Sequence, residues 1–266
     1  MSLTHGWIQA KNARLFYEMQ GQGPPVVLLH GGFVDRRQWD PQFDELAGHF
    51  QVVRLDGRGH GRSDAPLAEF SYARDLVALL DQLQLAPAVL VGFSRSCSVA
   101  LTVAFQHPAR VSGLVLAAPG LTSFPYSAEY VDYLQNLLIT GESGHTGQAI
   151  QTILDDPYWR LEEGRTRERE WLKGILADNG HLFRWYMEAT HRDEEPMLPH
   201  LAEIQAPTLL VGPQRDYPDN QQVFQMLAGR LPAVQVVTVP EAGHFVTVDQ
   251  PEVFNRETIR FIDSLP

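Results

Sequence analysis

Ala88-Val89-Leu90-Val91-Gly92-Phe93-Ser94-Arg95-Ser96-Cys97 is the stretch on which the fold turns. Val89 to Val91 are all apolar, which alternation does not explain and a strand covered on both faces does. The run breaks at Gly92, and Ser98 to Phe105 is again almost wholly apolar, the pattern of a central helix packed on a sheet. Ser94 therefore stands at the apex of a strand-to-helix corner. Such a corner holds a nucleophile on a sharp turn, its hydroxyl exposed above the sheet. The helix behind it supplies free N–H groups and the positive end of a dipole. A lone serine in this place is as readily an N-cap, so the reading depends on partners elsewhere in the chain.

Composition narrows the field. With 266 residues, 44% of them hydrophobic, the chain suits one large domain with an inserted lobe. A net charge of −11 argues against a nucleic-acid or anionic-membrane surface. A single cysteine excludes an internal disulfide and fits a reducing compartment. Met1 to Gly6 has neither a basic flank nor an apolar run, so no secretory signal is expected. No apolar run approaches the ~18 residues of a membrane span. The expectation is a soluble, cytoplasmic protein, monomer or homodimer.

Strands and helices alternate along most of the chain. Strands are expected at Trp7–Ala10 and Ala13–Met19 (a hairpin), Pro25–Leu29, Phe50–Leu55, the opening stretch, Val111–Ala118, Pro207–Gly212 and Val234–Val239. Helices are expected at Asp40–Ala47, behind an N-cap at Ser71, at Gln221–Arg230 and at Pro251–Ile262. Behind Ser71, Leu76, Leu79, Leu80 and Leu83 mark one helix face. From about Leu121 to His200 strand signals vanish, and aromatic residues such as Tyr130, Tyr133, Trp159 and Tyr186 accumulate. This part reads as a helical cap, residues 121–200, inserted into an α/β core of residues 1–120 and 201–266. The core has a mostly parallel sheet with helices on both faces.

A serine needs a base, and the base needs a third group to fix its tautomer. His244 follows the last expected strand in Gly243-His244-Phe245 and is the base candidate. Asp216, just past the preceding strand, is the acid candidate, with nearby Asp219 as the alternative. Asp249 reads as a cap for the final helix. Oxyanion donors are expected from the N–H groups of Arg95 and of Gly32, in the glycine-rich loop His30-Gly31-Gly32-Phe33 at a strand's C-terminal end. His30 is expected to prop that loop, and Arg58 and His60 to hold the glycine turn that follows Asp56. Cys97 reads as a buried filler. His145, His181, His191 and His200 show no metal-ligand spacing, so no metal site is expected.

Five pieces, each at a strand end, resemble the α/β-hydrolase fold superfamily in order. They are His30-Gly31-Gly32 with Trp39 downstream, Asp56-Gly57-Arg58-Gly59-His60-Gly61-Arg62-Ser63, Val91-Gly92-Phe93-Ser94, Gly212 through Asp216, and Gly243-His244. The resemblance covers about Leu15 to Ile262. Within the superfamily the chain looks most like capped hydrolases of the 3-oxoadipate enol-lactonase and esterase group. It implies a mostly parallel eight-stranded sheet and a cofactor-free serine hydrolase of small carboxylic esters or lactones. Ser94, His244 and Asp216 would form the triad, Gly32 and Arg95 the oxyanion hole, and Phe33 and Arg95 the substrate contacts. A carbon–carbon bond hydrolase with the same triad, and a non-catalytic ligand-binding protein of this fold, are the alternatives.

The elbow departs from the superfamily's usual Gly-x-Ser-x-Gly, because Ser96 replaces the second glycine and is expected to crowd the turn. Arg95, with Arg36 and Arg37, could offer a fork to a carboxylate-bearing ester or lactone; the alternative is that Arg95 pairs with an acidic group such as one from the cap.

Overall fold

The computed structural model describes residues 2–65, 69–188 and 196–266; His191 lies outside them. Eight strands form one sheet: β1 (Thr4–Ala10), β2 (Ala13–Gln20), β3 (Pro25–Leu29), β4 (Gln51–Leu55), β5 (Ala88–Phe93), β6 (Val111–Ala117), β7 (Thr208–Pro213) and β8 (Val234–Val239). Their order is β1-β2-β4-β3-β5-β6-β7-β8. β1–β2 and β2–β4 pair antiparallel, and every pair from β4 to β8 is parallel. The sheet is the mostly parallel, eight-stranded one expected.

The helices are α1 (Asp40–Ala47), α2 (Tyr72–Gln82), α3 (Ser96–Gln106), α4 (Ala128–Thr140), α5 (Thr146–Asp155), α6 (Thr166–Asp178), α7 (Leu182–Glu188), α8 (Pro218–Arg230), α9 (Val246–Asp249) and α10 (Pro251–Asp263). Between β6 and β7 the described residues form helices and no strand. α8 starts three residues ahead of the expected Gln221, because Pro218 in the first turn forfeits no hydrogen bond there. No helix among the described residues is long and apolar enough to cross a membrane.

Two-sided burial explains the unbroken apolar runs. Val26, Leu28, Val89 and Val91 pack on one face with Trp39, Phe43 and Phe254. Val27, Leu29 and Leu90 pack on the other with Leu76, Leu79 and Leu101. The chain leaves β3 to form β4 on one side and returns as β5 on the other. Open sheets bind ligands at such a reversal, at the carboxyl ends of the strands. Leu29 pairs with Gly92 across it, so the loop after β3 and the corner after β5 emerge side by side.

Beneath the reversal the Arg58 guanidinium is buried and bonds the Asp75 carboxylate of α2 twice, at 2.8 and 2.7 Å. The expected role for Arg58 in its own turn is thus extended: it ties that turn to α2. Removing one partner strands the other as a buried charge. Arg58→Ala should therefore cost about 3 kcal/mol or more in urea denaturation, and Arg58→Met with Asp75→Leu substantially less.

Candidate active site

Ser94 has φ +54°, the left-handed region that a serine rarely adopts. The turn is pinned on both sides: Ser94 N–H donates to the Ala117 carbonyl at 2.9 Å, and the Ser94 carbonyl accepts from Cys97 N–H at 3.0 Å and Gly120 N–H at 3.1 Å. A Cβ on Gly92 would sit 3.0 Å from the Cys97 backbone, and one on Gly31 would sit 2.6 Å from the Phe93 ring. These two glycines let strand, elbow and loop approach one another.

Ser96 corrects the expectation of a crowded turn. Its buried hydroxyl donates to the Leu29 carbonyl at 2.7 Å and accepts from Phe93 N–H at 2.9 Å. One hydroxyl thereby ties the end of β3, which leads into the glycine loop, to the end of β5, which leads into Ser94. Cys97 is fully buried, and burial pushes its thiol well up, as suits a filler.

The three residues expected to work together meet in space. Ser94 Oγ lies 3.0 Å from His244 Nε2, and His244 Nδ1 lies 2.9 and 3.0 Å from the two Asp216 oxygens. A carboxylate only accepts, so Nδ1 carries the imidazole proton and Nε2 is left to accept from the serine hydroxyl. Asp216 is buried and takes two further bonds, from Tyr217 N–H at 2.7 Å and Asn220 Nδ2 at 2.9 Å. Asp219 faces elsewhere: it accepts from the N–H and hydroxyl of Ser127 at the start of α4.

Asp249 corrects a second expectation. It caps no helix; α10 begins after Gln250 without a side-chain cap. The Asp249 carboxylate accepts from Gly243 N–H at 2.8 Å and Glu162 N–H at 2.7 Å. His244 N–H donates to the Tyr158 carbonyl at 2.8 Å, and the Trp159 indole stacks on the imidazole, centroids 5.1 Å apart and planes 16° apart. The segment after α5 thus clamps the histidine loop. Nothing in Trp159 or Asn220 signalled this from sequence beyond the i, i+4 spacing of Asp216 and Asn220.

The glycine loop is held from below and from the side. His30 accepts from Gly57 N–H at 2.8 Å through Nε2 and donates to the Gly31 carbonyl at 2.8 Å through Nδ1, and burial keeps its pKa low. His60 packs on it, centroids 4.7 Å apart, and burial likewise pushes its pKa well down. Asp35 is fully buried and binds Arg37 and, at 2.7 Å, Asn179 from the end of α6. Burial pushes its carboxyl up, but the hydrogen bonds from Arg37 and Asn179 outweigh that and hold it at about 2. Phe33 stacks on Phe183 at 5.0 Å.

Arg36 and Arg37 do not join Arg95 in a carboxylate fork. Arg36 bonds Asp56 and Glu18, and Arg37 bonds Asp35 and Asp178. Neither lines the cavity over Ser94. That cavity, about 340 Å³, is bounded by Gly32, Phe33, Phe93, Arg95, Tyr126, Tyr130, Leu134, Leu138, Trp159 and Phe245 among others, and is mostly apolar. Gly32, Phe33 and Arg95 thus reach it as expected, while the α4 contributors were not singled out individually. Among the described residues no cluster of three or more His, Cys, Asp or Glu is placed to hold a metal; His181 bonds the Gly59 carbonyl and His200 bonds Glu203.

A model of the alpha/beta hydrolase family matches residues 26–257. The chain belongs to the alpha/beta hydrolase family. One family relative, a Bacillus subtilis (strain 168) protein provisionally named a 2-succinyl-6-hydroxy-2,4-cyclohexadiene-1-carboxylate synthase, is 29% identical, with 94% of this chain and 95% of that one covered. Est816, described as an N-acyl homoserine lactone degrading enzyme, superposes with a TM-score of 0.78 at 25% identity, covering 96% and 100% of the two chains. The enol-lactonase from Burkholderia xenovorans LB400 shares the fold, with a TM-score of 0.81 at 21% identity over 97% and 100%.

Two outcomes follow from this geometry. Ser96→Ala removes the hydroxyl that serves Leu29 and Phe93 and should lower stability by about 1–3 kcal/mol, read as the shift in urea midpoint. The folded pKa of Asp35 lies below an ordinary carboxyl's 3.8, so its contribution is fully present above that value and is lost as pH falls towards 2. Wild type should lose about 2 kcal/mol more than Asp35→Asn between pH 5 and pH 2, measured by denaturation at each pH.

Proposed function

We propose that this protein is a serine hydrolase of small, neutral carboxylic esters or lactones, working through an acyl-enzyme. The observation that carries the reading is the continuous hydrogen-bonded chain Ser94–His244–Asp216 at the floor of an apolar cavity. Ser94 Oγ attacks the carbonyl carbon as His244 Nε2 takes its proton. Asp216 keeps the proton on Nδ1 and stabilises the imidazolium. The oxyanion is received by the N–H groups of Gly32 and Arg95, the second at the start of α3. Collapse expels the alkoxide, which takes the proton from Nε2. Water then enters, His244 deprotonates it, and the acid leaves with Ser94 restored. Ester plus water becomes acid plus alcohol, and no step calls on a cofactor. The helical insertion, residues 121–200, acts as a cap that keeps bulk water off the acyl-enzyme.

Family membership supports hydrolysis as the reaction class, and the Est816 likeness supports a lactone among the substrates. The mostly apolar lining, whose Arg95 turns its guanidinium onto the Tyr72 ring, supports uncharged substrates over the carboxylates named for the Bacillus subtilis relative. Arg36 and Arg37 are each already held by two carboxylates.

A serine-directed fluorophosphonate should modify Ser94, read by mass spectrometry of the digested protein. Ser94→Ala should abolish both labelling and release of p-nitrophenol from short-chain esters. Asp216→Asn should lower kcat by roughly 10⁴-fold with the fold intact. An unmodified Ser94 in folded wild-type protein would sink the enzymatic reading and favour a ligand-binding role.

A further inference from the structure

Two cavities meet at the elbow. The larger is the one over Ser94. A smaller one, about 40 Å³, lies behind it and is lined by Leu29, His30, Tyr72, Leu76, Ser96 and Val99 among others. Among the described residues Arg95 is the one common to both linings. Its guanidinium carbon sits 4.3 Å from the centre of the Tyr72 ring, and Tyr72 belongs to the rear lining and not the front one. Arg95 therefore stands where the two spaces adjoin, with its side chain reaching the rear lining. A cation stacked on an aromatic face is a held wall, since swinging it away forfeits the attraction of the ring.

We infer that Arg95 is the residue that limits the acyl group: it closes the substrate cavity at the elbow and withholds the rear space from acyl chains. The inference rests on Ser94 being the nucleophile. Behind the wall the surfaces suit hydrocarbon. Leu15, Leu29, Leu55, Leu76 and Val99 are apolar, and the polar groups there already have partners, Arg58 on Asp75 and His30 on Gly31 and Gly57. A chain entering there leaves none of these groups stranded. Each methylene that finds an apolar place is worth about 0.8 kcal/mol, roughly fourfold in binding. Shortening Arg95 joins the two cavities and opens that place.

The test is kcat/KM for p-nitrophenyl esters from acetate to dodecanoate, with wild type, Arg95→Ala and Arg95→Lys compared by the ratio of long to short chains. That ratio should rise by about tenfold or more in Arg95→Ala, as two further methylenes find room. Arg95→Lys keeps a cation of nearly the same reach for the Tyr72 ring and should retain the wild-type ratio. Inhibition by n-alkyl boronic acids should follow the same order and reads the subsite without turnover. If Arg95→Ala does not fold, Arg95→Leu, which keeps an apolar body yet falls short of Tyr72, should move the ratio in the same direction. An active wild type whose chain-length profile is the same in the shortened variants overturns the role of Arg95 and leaves Ser94 as the nucleophile. A wild type that hydrolyses no ester and whose Ser94 resists fluorophosphonate overturns the hydrolase reading and this inference with it.

Discussion

The strained turn at Ser94 is the constraint around which the molecule is arranged. A serine at φ +54° is unfavourable on its own and persists only where its neighbours leave no alternative. Here β6 takes its N–H, the loop at Gly120 and the start of α3 take its carbonyl, and Gly92 lets the helix close in. The buried α3 makes the corner rigid, because leaving the turn would pull an apolar helix off the sheet. Ser96 adds a bond that a glycine would lack, and that bond reaches across to the strand carrying the glycine loop. Ser94 and the proposed oxyanion donors are thereby set by one local network, as electrostatic preorganisation requires.

Three aspartates outside the Ser94–His244–Asp216 chain do a second job. Asp35, Asp219 and Asp249 each join a site loop or the start of α8 to the insertion between β6 and β7, through Asn179, Ser127 and Glu162 respectively. Hydrogen bonds accepted by a carboxylate are charge-assisted and directional. The insertion is accordingly part of the frame that places His244 and Phe33, with Trp159 and Phe183 adding ring contacts on the same two loops.

The arginines near the site are used inwardly. Arg36, Arg37 and Arg58 end on carboxylates, and Arg95 on an aromatic face. Of these four, Arg95 alone lines the cavity over Ser94, and its guanidinium lies on the Tyr72 ring. What remains exposed to a ligand is mostly hydrocarbon, aromatic ring and the polar groups around Ser94.

Much of this was legible without coordinates. Every strand was: alternation marks the β1–β2 hairpin, and short runs rich in Val and Leu that end at turn residues mark the parallel strands. So was the convergence of Ser94, Asp216 and His244, because each follows the end of a strand and parallel topology carries all such ends to one edge. What sequence misjudged was the destination of polar side chains. Asp249 looked like a local helix cap and instead holds Gly243 and Glu162; Arg36 and Arg37 looked like a substrate fork and instead meet carboxylates from β2, from the end of α6 and from nearby loops. Ser96 looked like an obstacle and is a tie. Burial follows from periodicity, which a sequence displays. A hydrogen bond or ion pair depends on where two distant segments come to rest, and only the folded chain decides that.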